Sequence, residues 1–166
     1  MLKSARIADT VSIMNILASG RRAQRLQGFT QWEDGYPDED TVRRDITAGA
    51  GRLLVSGCTP IAYAAIITSD PGYEPIEDIW IHSGNYAVLH RIAIADGYRG
   101  RGLTAQFLDL LEKDALLNGI EVMRADTGME NKTMQHILTK HGYTIRGLVN
   151  FPWGPRLALE KRIAAT

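Results

Sequence analysis

Six residues, Arg99-Gly100-Arg101-Gly102-Leu103-Thr104, put two guanidinium groups, two glycines and a hydroxyl at the start of a helical pattern. The first N–H groups of a helix have no intrahelical partner, and the helix dipole favours an anion there. Glycine lets a phosphate approach the backbone without meeting a Cβ. Gly97 brings the count to three glycines in six residues, which weakens a helix start and needs a compensating role. The chemistry predicted is phosphate binding, with Arg99 and Arg101 adding charge and Thr104 a hydroxyl donor. Upstream, His90 lies in the apolar run Leu89 to Ile94 and belongs to the class of side chain that can take a proton near neutral pH.

Common nucleotide motifs fit this segment poorly. Gly97 to Gly102 has the glycine spacing of a P-loop, but Leu103-Thr104 follows where Lys-Ser/Thr is required. Gly100-Arg101-Gly102 lacks the third glycine of a dinucleotide fingerprint, since residue 105 is Ala.

The chain has 166 residues, enough for one domain spanning 1–166 with a real core. Lys plus Arg and Asp plus Glu are both 19, so the basic excess of a general nucleic-acid binder is missing. Cys58 is the sole cysteine, which excludes an intrachain disulfide and a cysteine-based metal site. Its place in a hairpin turn far from the cradle argues against a nucleophile. The histidines show no metal-binding pattern, and no metal site is expected. No apolar run is long enough to span a membrane, and Met1 to Asp9 lacks a signal-peptide core. The expectation is a soluble cytoplasmic protein with neither membrane nor nucleic acid as partner.

The elements that must position these groups follow from periodicity and turn chemistry. Met1 to Ile7 suits an edge strand. Asp9 or Thr10 caps a helix with Val11, Met14, Ile16 and Leu17 on one stripe, and Gly20 is expected to stop it. Arg21 to Pro37 reads as a short helix and irregular loop, and Asp38 to Ala48 as a helix with acids in its first turn. Arg52 to Ser56 and Ile61 to Thr68 form a hairpin around Gly57-Cys58-Thr59-Pro60. Ser69 to Gly84 reads as a long loop and Tyr86 to Ile94 as a strand. Gly102 to Leu117 is a helix with Leu103, Phe107, Leu110, Leu111 and Leu117 at helical spacing. Glu121 to Ala125 is a strand and Asn131 to Lys140 a helix ended by Gly142. Tyr143 to Phe151 and Arg156 to Lys161 make a terminal strand pair. Alternating elements interrupted by two hairpins predict an α/β (α+β) fold with a mixed sheet.

Leu89 to Thr104 resembles the signature of the GCN5-related N-acetyltransferases (GNAT), Arg/Gln-x-x-Gly-x-Gly/Ala after an apolar strand; here it reads Arg99-x-x-Gly102-x-Thr104. A second mark of that family is an Asn opening a helix that ends in Gly-Phe or Gly-Tyr, matched by Asn131 through Gly142-Tyr143. The likeness is specific over residues 86 to 146 and loose before them. It implies a central sheet splayed beside the strand Tyr86 to Ile94, with helices on both faces and acetyl-CoA as cofactor. By resemblance, the backbone of Ile92, Ala93 and Ile94 pairs with the pantetheine. The pyrophosphate sits on Arg99, Gly100, Arg101, Gly102, Leu103 and Thr104. Asn131 and Met134 flank the pantetheine or thiol end.

The implied activity is acetyl transfer to a primary amine by direct attack in a ternary complex, the acceptor being a small molecule or a peptide. A lysine-like amine is almost wholly protonated at pH 7, so a base or a desolvating site is required. His90 is the first candidate base. A strand N–H near Ala93 or Ile94 could serve the oxyanion. Tyr143 is a second candidate catalytic side chain, at a position the family usually gives to core packing. Arg91 suits an ion pair better than an acidic substrate group. Trp32, Tyr36 and Trp153 are candidates for the acceptor pocket, since the family builds that side from its first helices and last hairpin. Many members carry a tyrosine, as acid for the departing thiolate, where this chain has Leu138. That departure keeps a second reading open, a non-catalytic acyl-CoA-binding module or sensor. Sheet edges near the C-terminus make a homodimer a reasonable expectation.

Overall fold

The structure, a computed structural model, describes every residue except Thr30, Glu33, Asp34, Ser69, Pro152, Trp153, Ala165 and Thr166, and the side chains of Glu74, Pro75 and Glu77. Among the described residues, seven strands form one mixed sheet in the order β1-β2-β3-β4-β5-β7-β6. The chain folds into two compact units, Met1–Ile66 with Arg91–Leu111, and Ile67–His90 with Glu112–Thr166. The strand β4 (Tyr86–Ile94) divides between them at His90 and Arg91.

In the first unit β1 (Leu2–Ser4) pairs antiparallel with β2 (Gly51–Ser56), and β2 with β3 (Thr59–Ile67). Helix α1 spans Thr10–Leu26 and does not stop at Gly20. A Cβ at Gly20 would stand 2.7 Å from Trp32 Cζ3 and 3.3 Å from Ala93 Cβ, so this glycine marks a close approach inside the helix, not a terminus. Ile13, Ile16 and Leu17 of α1 pack with Trp32, Val42, Leu53, Tyr63 and Ala93 into the unit's core. Helix α2 (Glu39–Thr47) starts where Asp38 accepts the Thr41 N–H at 2.8 Å. That bond satisfies one orphan donor, and the Thr41 hydroxyl, then its N–H, draws the Asp38 carboxyl below its usual pKa. Helix α3 (Leu103–Leu117) buries Phe107, Leu108 and Leu111, whereas Leu117, expected on the apolar stripe, is exposed at its end.

In the second unit β4 runs parallel to β5 (Val122–Gly128), from Tyr86↔Val122 to Leu89↔Ala125. That pairing stops there although both strands continue. β5 pairs antiparallel with β7 (Gly154–Arg162), which forms a hairpin with β6 (Thr144–Phe151). Tyr73, Val88, Val149, Phe151 and Ala158 form the core. The stretch expected as a loop after β3 contains two short 3-10 turns within Glu74–Ile79, kinked at Ile76, with Tyr73 stacked on Trp80 at 5.5 Å between ring centroids. Helix α4 spans Lys132–Lys140.

Candidate active site

The turn after β4 has the geometry that phosphate binding asks of it. Gly97, Gly100 and Gly102 all sit at positive φ, +80°, +73° and +71°, and an added Cβ would meet nothing within 4 Å at any of them. Backbone conformation, not crowding, therefore selects glycine here. Gln106 donates its N–H to the Gly102 carbonyl at 3.4 Å, so α3 begins as the turn ends. Arg99 is exposed yet oriented: Nη1 lies 2.9 Å from Asp96 Oδ1, and Nη2 donates to Ser19 Oγ at 3.0 Å. The Ser19 hydroxyl in turn lies 3.2 Å from the Ile94 carbonyl, so α1 ties this arginine to the end of β4. Arg22 of α1 also reaches Asp96, Nη2 to Oδ2 at 2.5 Å, and this bond with the Arg99 charge draws the Asp96 carboxyl below its usual pKa. Arg101 is exposed, 5.7 Å over the Tyr98 ring. The residues present fit a dianionic phosphate group, with the Arg22 and Arg99 guanidinium groups on the Asp96 carboxylate and Arg101 exposed on the same turn.

At the centre of β4 the backbone is unusual. Arg91 has φ +56° and is the sole non-glycine among the described residues at positive φ. Its guanidinium chelates Asp45, Nε to Oδ2 at 2.8 Å and Nη2 to Oδ1 at 2.5 Å, and Nη1 donates to Tyr36 Oη at 3.0 Å. Tyr63 Oη also donates to Asp45 Oδ2, at 2.8 Å. Burial works against the Arg91 charge, but its bonds to Asp45 and Tyr36 outweigh it and hold the pKa above the usual value. Burial, then the Asp45 charge, pushes the Tyr63 hydroxyl strongly up. Arg91 is therefore a structural ion pair, and through it Tyr36, itself exposed, is anchored by its hydroxyl.

His90, one residue earlier, has a side chain four-fifths buried, with Nε2 2.6 Å from Asp70 Oδ2. Asp70 Oδ1 accepts the Gly72 N–H at 2.9 Å. Tyr73 meets the imidazole edge-on at 6.1 Å and donates its hydroxyl to Asp126 Oδ1 at 2.7 Å. Burial first, then the Asp126 charge, raises the Tyr73 hydroxyl well above its usual value. Asp70 carries no local motif beyond the turn signal Asp70-Pro71-Gly72, and the sequence reading passed over it.

Asn131 is buried and caps α4, its Oδ1 accepting the Met134 N–H at 3.0 Å. That leaves its amide NH2 as the donor a ligand could take. Met134 is half-buried one turn on. Tyr143 is buried, with Lys161 Nζ 5.7 Å from its ring centre, and burial followed by the Glu112 charge raises its hydroxyl pKa. Those surroundings favour packing over chemistry. Leu138 is a core residue. Trp32, a candidate for the acceptor pocket, is buried against Gly20 and Ala93 because α1 leaves room for its ring there. Trp153 lies outside the described residues. Among the described residues no cluster of His, Cys, Asp and Glu could hold a metal, and no helix is long and apolar enough to cross a membrane.

Fold and turn together define a mixed α/β protein with a strand–glycine turn–helix unit. Residues 18–143 match the profile of the acetyltransferase (GNAT) family. A GNAT-family acetyltransferase from Streptococcus agalactiae is 34% identical, with a TM-score of 0.87 over 98% of this chain and 94% of that one. A GNAT-family acetyltransferase from Listeria monocytogenes is 21% identical, with a TM-score of 0.79 over 98% of this chain and 94% of its own. The Salmonella typhimurium protein yncA, solved with its cofactor acetyl-CoA, is 16% identical, with a TM-score of 0.71 over 100% of this chain and 95% of its own. The comparison with curated proteins finds no match. This chain belongs to the GNAT acetyltransferase family, whose members use acetyl-CoA.

Proposed function

We propose that the protein is an N-acetyltransferase that moves the acetyl group of acetyl-CoA to a primary amine of a small molecule or peptide, by direct attack in a ternary complex. The observation that carries this reading is the cradle, three positive-φ glycines and an oriented Arg99 leading into α3. Within the first unit, Arg99 to Thr104 would hold the pyrophosphate, and the backbone of Ile92, Ala93 and Ile94 would pair with the pantetheine. In the second unit, Asn131 and Met134 are carried over from the family pattern as cofactor contacts, and His90 is the base. When bound, acetyl-CoA supplies an acyl group activated as a thioester. His90 takes a proton from the attacking amine, a role typically worth about 10²–10⁴-fold. Tyr36, exposed and fixed through Arg91, is the described aromatic best placed to meet an acceptor. The protein is taken to work as one cytoplasmic domain.

The sensor reading keeps one supporting observation. Leu138, where many family members carry the acid, is an apolar core residue. Calorimetry with coenzyme A, acetyl-CoA and ATP, followed by an amine panel read by thiol release, separates the two. Acetyl-CoA binding with turnover of an amine supports the transferase; tight binding with no turnover supports the sensor. ATP binding without coenzyme A binding sinks both. Gly102→Glu should abolish coenzyme A binding, because it puts a β-carbon and a negative charge where the phosphate would lie.

A further inference from the structure

We infer that Asp70 is a positioning residue for acetyl transfer, holding the Nε2–H of His90 so that the Nδ1 lone pair is the one offered to the amine. The inference rests on the transferase reading above and deepens it. The two carboxylate oxygens of Asp70 have separate tasks. Oδ1 takes the Gly72 N–H at 2.9 Å, which fixes the carboxylate on its own turn, and Oδ2 faces His90 Nε2 at 2.6 Å. The Tyr73 N–H donates to the Asp70 carbonyl at 2.9 Å, so backbone and side chain of Asp70 are both held. A Cβ on Gly72 would come within 3.1 Å of Asp70 Oδ1, so glycine at this position keeps the turn tight.

An ionised carboxylate accepts hydrogen bonds and cannot donate them. Facing Nε2, it selects the Nε2–H form of the neutral ring and places the lone pair on Nδ1. Both side chains are four-fifths buried, where such a bond is stronger than in water. Titratable and charged groups around the ring include Asp70 and, edge-on, Tyr73, whose hydroxyl binds Asp126, with Arg156 Nε 3.9 Å from that carboxylate. As the neutral amine attacks, its nitrogen lone pair forms the N–C bond and Nδ1 takes one of its two protons. The C–S bond breaks with its electron pair on sulfur, which takes a proton from solvent. His90 then returns its proton to solvent, and Asp70 stabilises the imidazolium in between.

Asp70→Asn tests this without removing the turn. Asn Oδ1 can still accept from Gly72, which points its NH2 at Nε2 and forces the proton onto Nδ1. Nitrogen-detected NMR of the His90 ring in the full chain should show Nε2–H in the wild type and Nδ1–H in Asp70→Asn. With an amine that the wild type acetylates, kcat should fall by about 100-fold or more at pH 7. The fall should be smaller at pH 9, with KM for acetyl-CoA unchanged and partial recovery in Asp70→Glu. A wild-type ring carrying its proton on Nδ1 overturns the proposal and needs no variant. So does a loss of kcat equal at both pH values, or one additive with His90→Ala, since a merely structural Asp70 would behave so. Failure of the transferase reading is distinct: no amine then releases thiol with the wild type, whatever the tautomer, and the proposal falls with it. Turnover undiminished in Asp70→Asn overturns the positioning role alone.

Discussion

Replacing Asp45 with Asn removes the carboxylate that Arg91 chelates through two N–H groups at 2.8 and 2.5 Å. The side chains of Arg91 and Asp45 are 8% and 6% exposed, so water cannot take over the pairing. The amide can accept one of the two N–H bonds but presents its own N–H groups to the other. Breaking a buried pair from one side costs about 3–5 kcal/mol, chiefly the desolvation of the charge left behind. A domain of this kind holds only about 5–15 kcal/mol in total. With an m-value of about 2 kcal/mol/M, the urea midpoint should drop by about 2 M. Equilibrium unfolding followed by far-UV circular dichroism reads this directly. A drop corresponding to less than about 1 kcal/mol would refute the reasoning, because that is what a solvated surface pair is worth.

The same pair can be probed from the backbone side. Both Arg91→Ala and Arg91→Gly lose the chelate, so their difference isolates the cost of φ +56°. A side chain in the left-handed region costs about 1–2 kcal/mol. Glycine in a strand loses about 0.5–1 kcal/mol to its greater unfolded-state freedom. The balance leaves Arg91→Gly ahead of Arg91→Ala by roughly 0.5–1 kcal/mol, the reverse of the usual order in a strand. The usual order, Ala above Gly, would show that Arg91 is not left-handed in solution.

Two further perturbations are quick to check. Tyr63, Tyr73 and Tyr143 all have raised hydroxyl pKa values in the fold, above the ordinary 10.0. Their contribution to stability is complete below about pH 10 and declines as pH rises further, because the unfolded chain loses those protons first. Three of the six tyrosines should therefore ionise only as circular dichroism collapses, and six independent titrations in a folded protein would contradict this. Asp96→Asn releases Arg22 and Arg99 and removes a negative charge from the cradle. Coenzyme A affinity by calorimetry should rise about two- to five-fold and the gain should shrink in high salt, whereas a weaker affinity would show that Asp96 serves mainly to hold Arg99.

The turn Arg99 to Thr104 and the strands and helices around it were legible because their signals are local. A helix period, a strand run and a glycine turn each fit inside about fifteen residues. Family membership and acetyl-CoA followed from two such local marks, residues 99–104 and Asn131 through Tyr143. Polar partners were a different matter. Asp45 meets Arg91 across 46 positions, Ser19 meets Arg99 across 80, and Asp70 meets His90 across 20. No periodicity encodes such pairs, since only tertiary packing brings them together. Gly20 shows the converse failure. Read locally it stops a helix, yet it is small because Trp32 must pass at van der Waals distance.

The contrast between His90 and Leu138 sets an expectation for the pH profile. His90 has a carboxylate partner, whereas Leu138 is apolar core where many relatives keep an acid. An alkylamine has a pKa of about 10.4 and a simple thiol about 8.5, so the amine loses its proton with more difficulty than the thiolate departs without one. The chain has accordingly retained a candidate for the harder task. A bell-shaped profile requires both an essential base and an essential acid. Here kcat/KM for a saturating acetyl-CoA should rise with pH and level off, with no falling limb before the alkaline transition of the buried tyrosines begins. Leu138→Tyr should leave the rising limb where it is, because it does not touch the base. A falling limb between pH 7 and pH 9 in the wild type, with the fold intact, would mean that some other side chain protonates the sulfur, and the argument from Leu138 would fail.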